Sequence, residues 1–576
     1  MENIIRTCAV SGKKFVIDQQ DQEFYKRVAP VINGVAYDLP LPILCPEERR
    51  RRRFTHRNER HLYHRKCDLS GKSVISNYSP DGGMVVYDND EWWSDKWDPK
   101  SYGMEFDFQR PFFEQFQELS RKVPQLALSV WNSENSNYCN YVGHVKNSYL
   151  IFGSVYSENC YYGSPYYSVD CVDTLVVREC EYCYECVDCR KLYECMYCQD
   201  CQGSRNLIYC YDLQNCSDCI GCAGMRNKKF CIFNVQYSEG EYKKYREKLN
   251  LCDGKAREKI TEELARLKLM IPHRFMQSKQ VEYVSGNYVY NSKNALDCYY
   301  TDRCEDVRYC AQVVDLKDCY DNNFTEENEL CCEYLGSYQN NRILFSKFCN
   351  KVSESMYCDS CFTSKNLFGC IGLRGSQYCI LNKQYSRKEY EELVPKIIEH
   401  MKRAPMRGEG EPRPPPRRGR QVGVEWGEFF PASLSPFGYN ETVANEYFPL
   451  PREEVEGRAW RWKEEEDKGF YDGPAAEVSA DISDVSDEIL KQILTCDITG
   501  KSYKIIPHEL RFYKKMHLPI PRKSPNERHS SRLALRNPQT VWNRKCDKCQ
   551  LEIQTTYAPE RPEQVYCEKC YLAAVY

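Results

Sequence analysis

The chain has 576 residues, a formal net charge of −3 and 42% hydrophobic residues, a length that suits three or four domains. Near-neutral charge gives no global pull toward nucleic acid or an anionic membrane. No run of 18 apolar residues occurs and the opening "MENIIRTCAVSGKKF" has no apolar signal segment, so a cytoplasmic protein with no membrane span is expected.

Residues 1–125 read as an N-terminal degenerate zinc-finger-like module. Cys8-x2-Ser11 with Cys45-x2-Glu48 resembles a worn-down finger, and Cys8, Cys45 and Glu48 are its residual metal candidates. Residues 49–66 then carry nine Arg or Lys against one acid. On a helix, Arg49, Arg53 and Arg57 fall at i, i+4 and i+8 on one face. Such a stripe could neutralise phosphates, or it could pair with acidic neighbours inside the protein.

Residues 131–240 form a first Cys-rich copy and 285–402 a second, which ends in a trailing helix. "CAGMRNKKFCIFNVQYSEGEY" (222–242) matches "CIGLRGSQYCILNKQYSRKEY" (370–390) at 11 of 21 positions, and the same offset of 148 pairs Cys171 with Cys319 and Cys183 with Cys331. Within each copy an Asn, Asp or Glu followed by a short Tyr/Cys run recurs about every 11 to 12 residues. Short strands closed by turn residues suit β-solenoid rungs, with two units making one coil of roughly 22 to 24 residues.

The stretch "ECEYCYECVDCRKLYECMYCQDC" (179–201) holds seven cysteines. Cys180, Cys186, Cys189, Cys195 and Cys198 face Asn328, Tyr334, Ser337, Ile343 and Ser346 in the second copy. An obligate cluster would lose its ligands under such replacement, whereas a stack of small buried side chains tolerates it. Zinc between rungs, a four-cysteine Fe–S run and disulfides are the alternatives for these residues.

Residues 241–280 read as a helical connector and 403–424 as a Pro/Arg/Gly-rich linker. An aromatic docking segment follows at 425–470. The acidic "SADISDVSDEILKQIL" is expected to form a helix leading into a C-terminal module at 488–576. That module repeats the first: "PEERRRRRFTHRNERHLYHRKCDLS" (46–70) matches "PNERHSSRLALRNPQTVWNRKCDKC" (525–549) at ten of 25 positions. Arg528, Arg532 and Arg536 repeat the stripe, in a segment with seven basic residues against one acid at 522–545.

The strongest motif closes the chain. Cys546-x2-Cys549 and Cys567-x2-Cys570 are two knuckles 17 residues apart, with "YAPERPEQVY" expected to supply a hairpin between them. Four thiolates in that spacing make a closed structural zinc site. The N-terminal equivalents are Cys67, Ser70, Asp88 and Glu91, so that copy is expected to keep the fold without the metal.

Together with "VYDNDEWWSDKWDPKSYGMEFDF" and "EWGEFFPASLSPFGYNETVA", these motifs resemble a Cys-rich zinc-ribbon family of candidate-phyla bacteria whose members sometimes carry a CaiB/BaiF label. The resemblance implies N-terminal C-x-x-C and C-P-x-C knuckles, where this chain has Ser11 and Glu48. It implies no activity.

The expected fold is mainly β: two central solenoid-like copies flanked by duplicated treble-clef or zinc-ribbon modules, with a few helices. The expected function is a zinc-binding, non-catalytic protein that meets nucleic acid, RNA before DNA, through the two arginine stripes. The competing function is a protein-interaction scaffold, with Trp92, Trp93, Trp97, Trp426, Trp460 and Trp462 as candidate contacts. An enzyme or Fe–S protein ranks last. No phosphate-cradling Gly loop, G-x-S-x-G or H-E-x-x-H occurs, only nine His are present, and no catalytic residue is assigned.

Overall fold

The computed structural model describes residues 2–404, 424–464 and 478–575. The linker falls almost wholly, and the end of the aromatic segment partly, outside the described residues. The architecture is mainly β, with twelve α-helices among the described residues and two large sheets of 11 and 13 strands. No described helix is long and apolar enough to cross a membrane.

Both large sheets are parallel ladders with a constant step. In the first, Asn140 pairs with Phe152, Arg178 with Arg190, and Arg190 with Gln202. In the second, Tyr299 pairs with Ala311 and Tyr320 with Cys332. The step is twelve residues, half the coil length expected from the repeat of Asn/Asp units.

The reason lies in the backbone. Nearly every third residue in both ladders is left-handed: Glu179, Tyr182, Glu185, Asp188 and Lys191 have φ of 50–55°. Four three-residue sides therefore separate each strand from its partner, with a left-handed corner every three residues whether or not an Asn or Asp marks it. A left-handed non-glycine residue costs about 1–2 kcal/mol, so the ladder hydrogen bonds must offset each corner. One step per ladder is a residue short, as at Val155–Tyr166 and Ser278–Val289. Near these shortened steps, a Cβ on Gly163 or Gly286 would lie within 2.1 Å of a carbonyl oxygen of the next strand.

The residue after each corner faces a shared interior. Cys183, Cys186, Cys189, Cys195, Cys198 and Cys201 are all at most 1% exposed in one core with Leu192 and Leu207. This answers the three-residue cysteine spacing: it is the side length of the ladder. The thiols also bond. Cys183, Cys186 and Cys198 each donate to the carbonyl two residues back at 3.3–3.5 Å, as inward Ser168 and Ser204 do at 2.8 and 2.9 Å. Inward backbone N–H groups in turn reach Oγ or Sγ one step earlier: Cys216 to Ser204 at 3.0 Å and Asn234 to Cys222 at 3.4 Å. An inward N–H otherwise has no water to meet, which favours Cys and Ser over Ala there. In the second ladder Tyr334 enters the same interior, with its hydroxyl on the Cys349 carbonyl at 2.5 Å.

Each ladder closes on an antiparallel hairpin, Ile232–Val235 and Ile380–Lys383. A helix follows each, Glu239–Lys248 and Arg387–Met401, with matching capping boxes on Ser238/Glu241 and Ser386/Glu389. The connector's second helix is Gly254–Met270. The expected acidic helix is two short 3-10 turns, Ile482–Asp484 and Asp487–Lys491. Of its residues Ile482, Val485, Ile489 and Leu494 are buried, and Leu494 already belongs to a strand, Leu494–Thr495, which leaves too narrow a stripe to hold a longer helix.

One apolar column on each ladder receives a module. Val172, Tyr184, Met196, Ile208, Ile220 and Ile232 pack with Phe512, Tyr513 and Met516 of the C-terminal module. Tyr320, Cys332, Leu344, Met356, Phe368 and Ile380, each 148 residues later, pack with Phe24, Tyr25 and Phe112 of the N-terminal module. The modules thus dock crosswise, first on second and last on first.

Candidate metal centre and the arginine junctions

The four-cysteine centre is built on a hairpin of Trp542–Lys545 and Glu552–Thr555. Between these strands the chain turns through Cys546–Cys549, with Gln550 left-handed at φ 62°. The second pair stands where a short strand, Val565–Tyr566, meets the helix Glu568–Val575. The expected hairpin at 557–566 is therefore a loop, because the strand at Val565 pairs instead with His273 of the connector.

All four sulfurs lie within 4.8 Å of one another, the one such metal-capable group among the described residues. Cys549 and Cys567 are 3.7 Å apart. The Cys567 N–H points at Cys546 Sγ at 3.2 Å. Burial raises the Cys546 thiol, but this N–H and those of Cys549 and Lys548 outweigh it and bring it down to about 6. Asp547 braces the two knuckles by accepting from the Val565 N–H at 2.6 Å and from Arg544 at 3.4 Å. The centre can hold a metal ion.

The N-terminal module keeps this frame with other atoms. Its hairpin is Tyr63–Lys66 with Ser73–Ser76. Asp68 braces Val86 N–H at 2.7 Å and Arg65 at 2.9 Å. In place of the cysteine set, Ser70 donates to Asp88 at 3.0 Å and Lys96 pairs with Glu91 at 2.6 Å. The residual candidates fare no better as ligands. Cys8 and Cys45 are buried together, but the Glu48 carboxylate is taken by Arg51 at 2.5 Å and Arg458 at 3.7 Å.

The arginine stripes are not on the surface. Arg49, Arg53 and Arg57 are 2%, 0% and 4% exposed, and Arg528 and Arg532 are 3% and 1%. Arg49 and Arg53 lie on the helix Pro46–Phe54, Arg528 and Arg532 on Pro525–Leu533. Arg49 donates to Asp321 at 2.9 Å; Arg53 reaches Asp321 at 3.0 Å and Glu333 at 2.5 Å. On the other ladder Arg528 pairs with Asp173, and Arg532 with Asp173 at 2.9 Å and Glu185 at 3.1 Å. Arg536 pairs with Asp188 at 3.1 Å, while Arg57 pairs with Glu59 at 2.6 Å. Burial works against the charge of Arg49 and Arg528, yet Asp321 and Asp173 hold both guanidiniums well above their ordinary range.

These groups are spent inside the molecule, which corrects the expectation that they face phosphate. Sequence reading missed the acids they meet: Asp173 and Glu185 stand 148 residues before Asp321 and Glu333, a repeat that was there to be matched to the repeated arginines. Most of the candidate contact tryptophans are likewise internal, with Trp93 and Trp462 half-buried. Trp92, Trp97, Trp426 and Trp460 are buried, and the Trp426 indole N–H bonds to the Asp38 carbonyl at 2.9 Å.

No protein-family model matches the chain, and no curated protein does. A solved structure described as an acetyltransferase from Desulfovibrio desulfuricans G20 aligns over 42% of this chain and 65% of its own, at 9% identity and a TM-score of 0.09. A likeness at that score says nothing about fold or chemistry.

Proposed function

We propose that the chain is a zinc-bearing, non-catalytic scaffold. In this reading two β-solenoids of twelve-residue coils are clamped side by side by two finger-derived modules, and the last module is a zinc ribbon that retains its metal. The observation that carries it is the burial of Arg49, Arg53, Arg528, Arg532 and Arg536 in ion pairs with the ladders: groups that would have met nucleic acid hold the molecule together instead. Four thiolates in a closed set suit tetrahedral zinc in a structural role. A protein partner suits the first ladder's outer face, where His144, Tyr156 and Tyr167 stack at 4.6 and 5.3 Å with Arg178 beside them. Tyr156 and Tyr167 stay 53% and 45% exposed, and aromatics with Arg dominate interface hot spots. The resemblance to a Cys-rich zinc-ribbon family is in keeping with this reading.

The test is elemental analysis of purified protein beside an RNA and DNA binding assay at low salt. One zinc per chain and no nucleic-acid binding are expected. Zinc-free protein removes the metal half of the proposal. Binding to RNA whose salt dependence weakens on charge reversal at Arg53 restores the nucleic-acid function in its place.

A further inference from the structure

A cavity of 470 Å³ opens where the N-terminal module meets the second ladder, a volume in the range of small-molecule sites. His56, Lys347 and Asp359 line it and are 1%, 7% and 6% exposed. The His56 Nε2 faces two carbonyl oxygens, of Pro431 at 3.2 Å and Phe430 at 3.3 Å. Both are acceptors, so Nε2 carries the proton and Nδ1 is left as a bare acceptor. Nδ1 is buried and meets no donor among the described residues, an arrangement that costs about 1–3 kcal/mol. Lys347 pairs with Asp359 at 3.1 Å, and Arg121 and Arg461 line the exposed mouth. Asp81 is cancelled by Lys463 at 2.7 Å, so the cavity is left with excess positive charge.

The duplicated half supplies a control. The positions of His56, Lys347, Asp359 and Tyr78 are taken there by Leu535, Gln199, Tyr211 and Tyr557, which line a crevice of only 30 Å³. There the Tyr211 hydroxyl meets His273 Nδ1 at 3.1 Å and the Tyr557 hydroxyl at 3.4 Å, so its histidine is not left bare. The Lys268 ammonium covers the Tyr211 ring at 4.2 Å. Docking a module on a ladder therefore requires neither the space nor the orphaned nitrogen.

We propose that the cavity under His56 binds a small hydroxylated anion, whose hydroxyl donates to His56 Nδ1 and whose charge meets Lys347 and Arg121. The site is independent of the scaffold reading and of the metal. Calorimetric titration with D-gluconate, D-ribose 5-phosphate and uncharged D-ribose tests it, the two anions separating a carboxylate ligand from a phosphate one. At least one anion is expected to bind tenfold or more tightly than ribose, and to shift the Nδ1 resonance of His56 in ¹⁵N-histidine NMR. Arg121→Glu, at an exposed position, should weaken binding about tenfold. Ser433→Phe, which fills the cavity while leaving the three buried groups in place, should abolish binding without lowering the melting temperature. Wild-type protein that binds neither anion at millimolar concentration, binding that survives Ser433→Phe, or ribose bound as tightly as the anions would each overturn the proposal.

Discussion

The two halves of the molecule are the same device assembled twice with different parts removed. The N-terminal module on the second ladder and the C-terminal module on the first share the docking column, the knuckle brace of Asp68 or Asp547, and the arginine–carboxylate junction. Even the acid at the start of the first module helix recurs: Asp21 meets the Tyr309 hydroxyl at 3.2 Å, and Glu509 the Tyr162 hydroxyl at 2.8 Å. What differs is the metal-capable set, four thiols in one half and Cys67 with Ser70, Asp88, Glu91 and Lys96 in the other, and the cavity, open in one half and filled in the other. The buried ion pairs tolerate no change because losing one partner strands a charge. The metal set was replaceable because hydrogen bonds can hold the same hairpin.

Removing the metal should have the largest and most one-sided effect. Cys549→Ser, or chelation, should take zinc content from one per chain to near zero. It should also expose the backbone of 542–575 to hydrogen exchange, since structural sites couple binding to folding. Cys67→Ser, at the position equivalent to Cys546, should leave metal content unchanged. Equal metal loss in both variants would break the contrast drawn between the halves.

Arg53→Met should leave Asp321 and Glu333 one guanidinium short, and Arg532→Met should do the same to Asp173 while stranding Glu185, each at a cost of up to about 3–5 kcal/mol. Denaturant unfolding should show similar losses for the two, with early exchange confined to the altered junction. A variant as stable as wild type would show that its junction is not structural.

Within the ladders, Cys222→Ala leaves the Asn234 N–H without its acceptor and should cost about 1–3 kcal/mol. Cys222→Ser should cost less, because a hydroxyl already fills the same role at Ser204. Equal losses would make the inward cysteines space-filling only.

The smallest effect concerns pH. Burial, opposed by Arg532, raises the Glu185 carboxyl to about 7. The folded state then binds a proton that the unfolded chain releases near its ordinary value of about 4.3, so stability falls as pH rises between those values. Glu185→Gln should flatten that slope. A slope unchanged by the substitution would assign it to other groups.

The duplications, the β content and the cysteine set 546, 549, 567, 570 were legible because each is a pattern in local or aligned sequence. The destination of the arginines was not. The ladder carboxylates they meet lie 268 to 359 residues away, and a basic run before a knuckle looks the same whether it faces solvent or a carboxylate. The ladder step was not legible either, for a local reason. Tyr182 and Lys191 occupy left-handed corners that Asn and Asp would announce but Tyr and Lys do not. The cavity's residues stand on three distant segments, and only comparison with Leu535, Gln199 and Tyr211 separates them from ordinary core and surface.

The junction is also a vernier. Arginines four apart on a helix advance about 6 Å, while neighbouring ladder strands are about 4.8 Å apart. Each guanidinium therefore slips about 1.2 Å against the carboxylates it climbs past. Two can stay in register, as Arg49 and Arg53 do on Asp321 and Glu333; by the third the drift is half a strand. Both helices end there, at Phe54 and Leu533. Arg57 and Arg536 then leave from non-helical chain and find different partners, Glu59 and Asp188. Arg49 and Arg53 both reach Asp321, as Arg528 and Arg532 both reach Asp173, so the stripe marks a position on the ladder as well as adhering to it. A three-residue insertion in a ladder before Asp173 or Asp321 would carry that carboxylate to the adjacent side and leave the stripe facing a corner, whereas twelve residues would only move the seat by one strand.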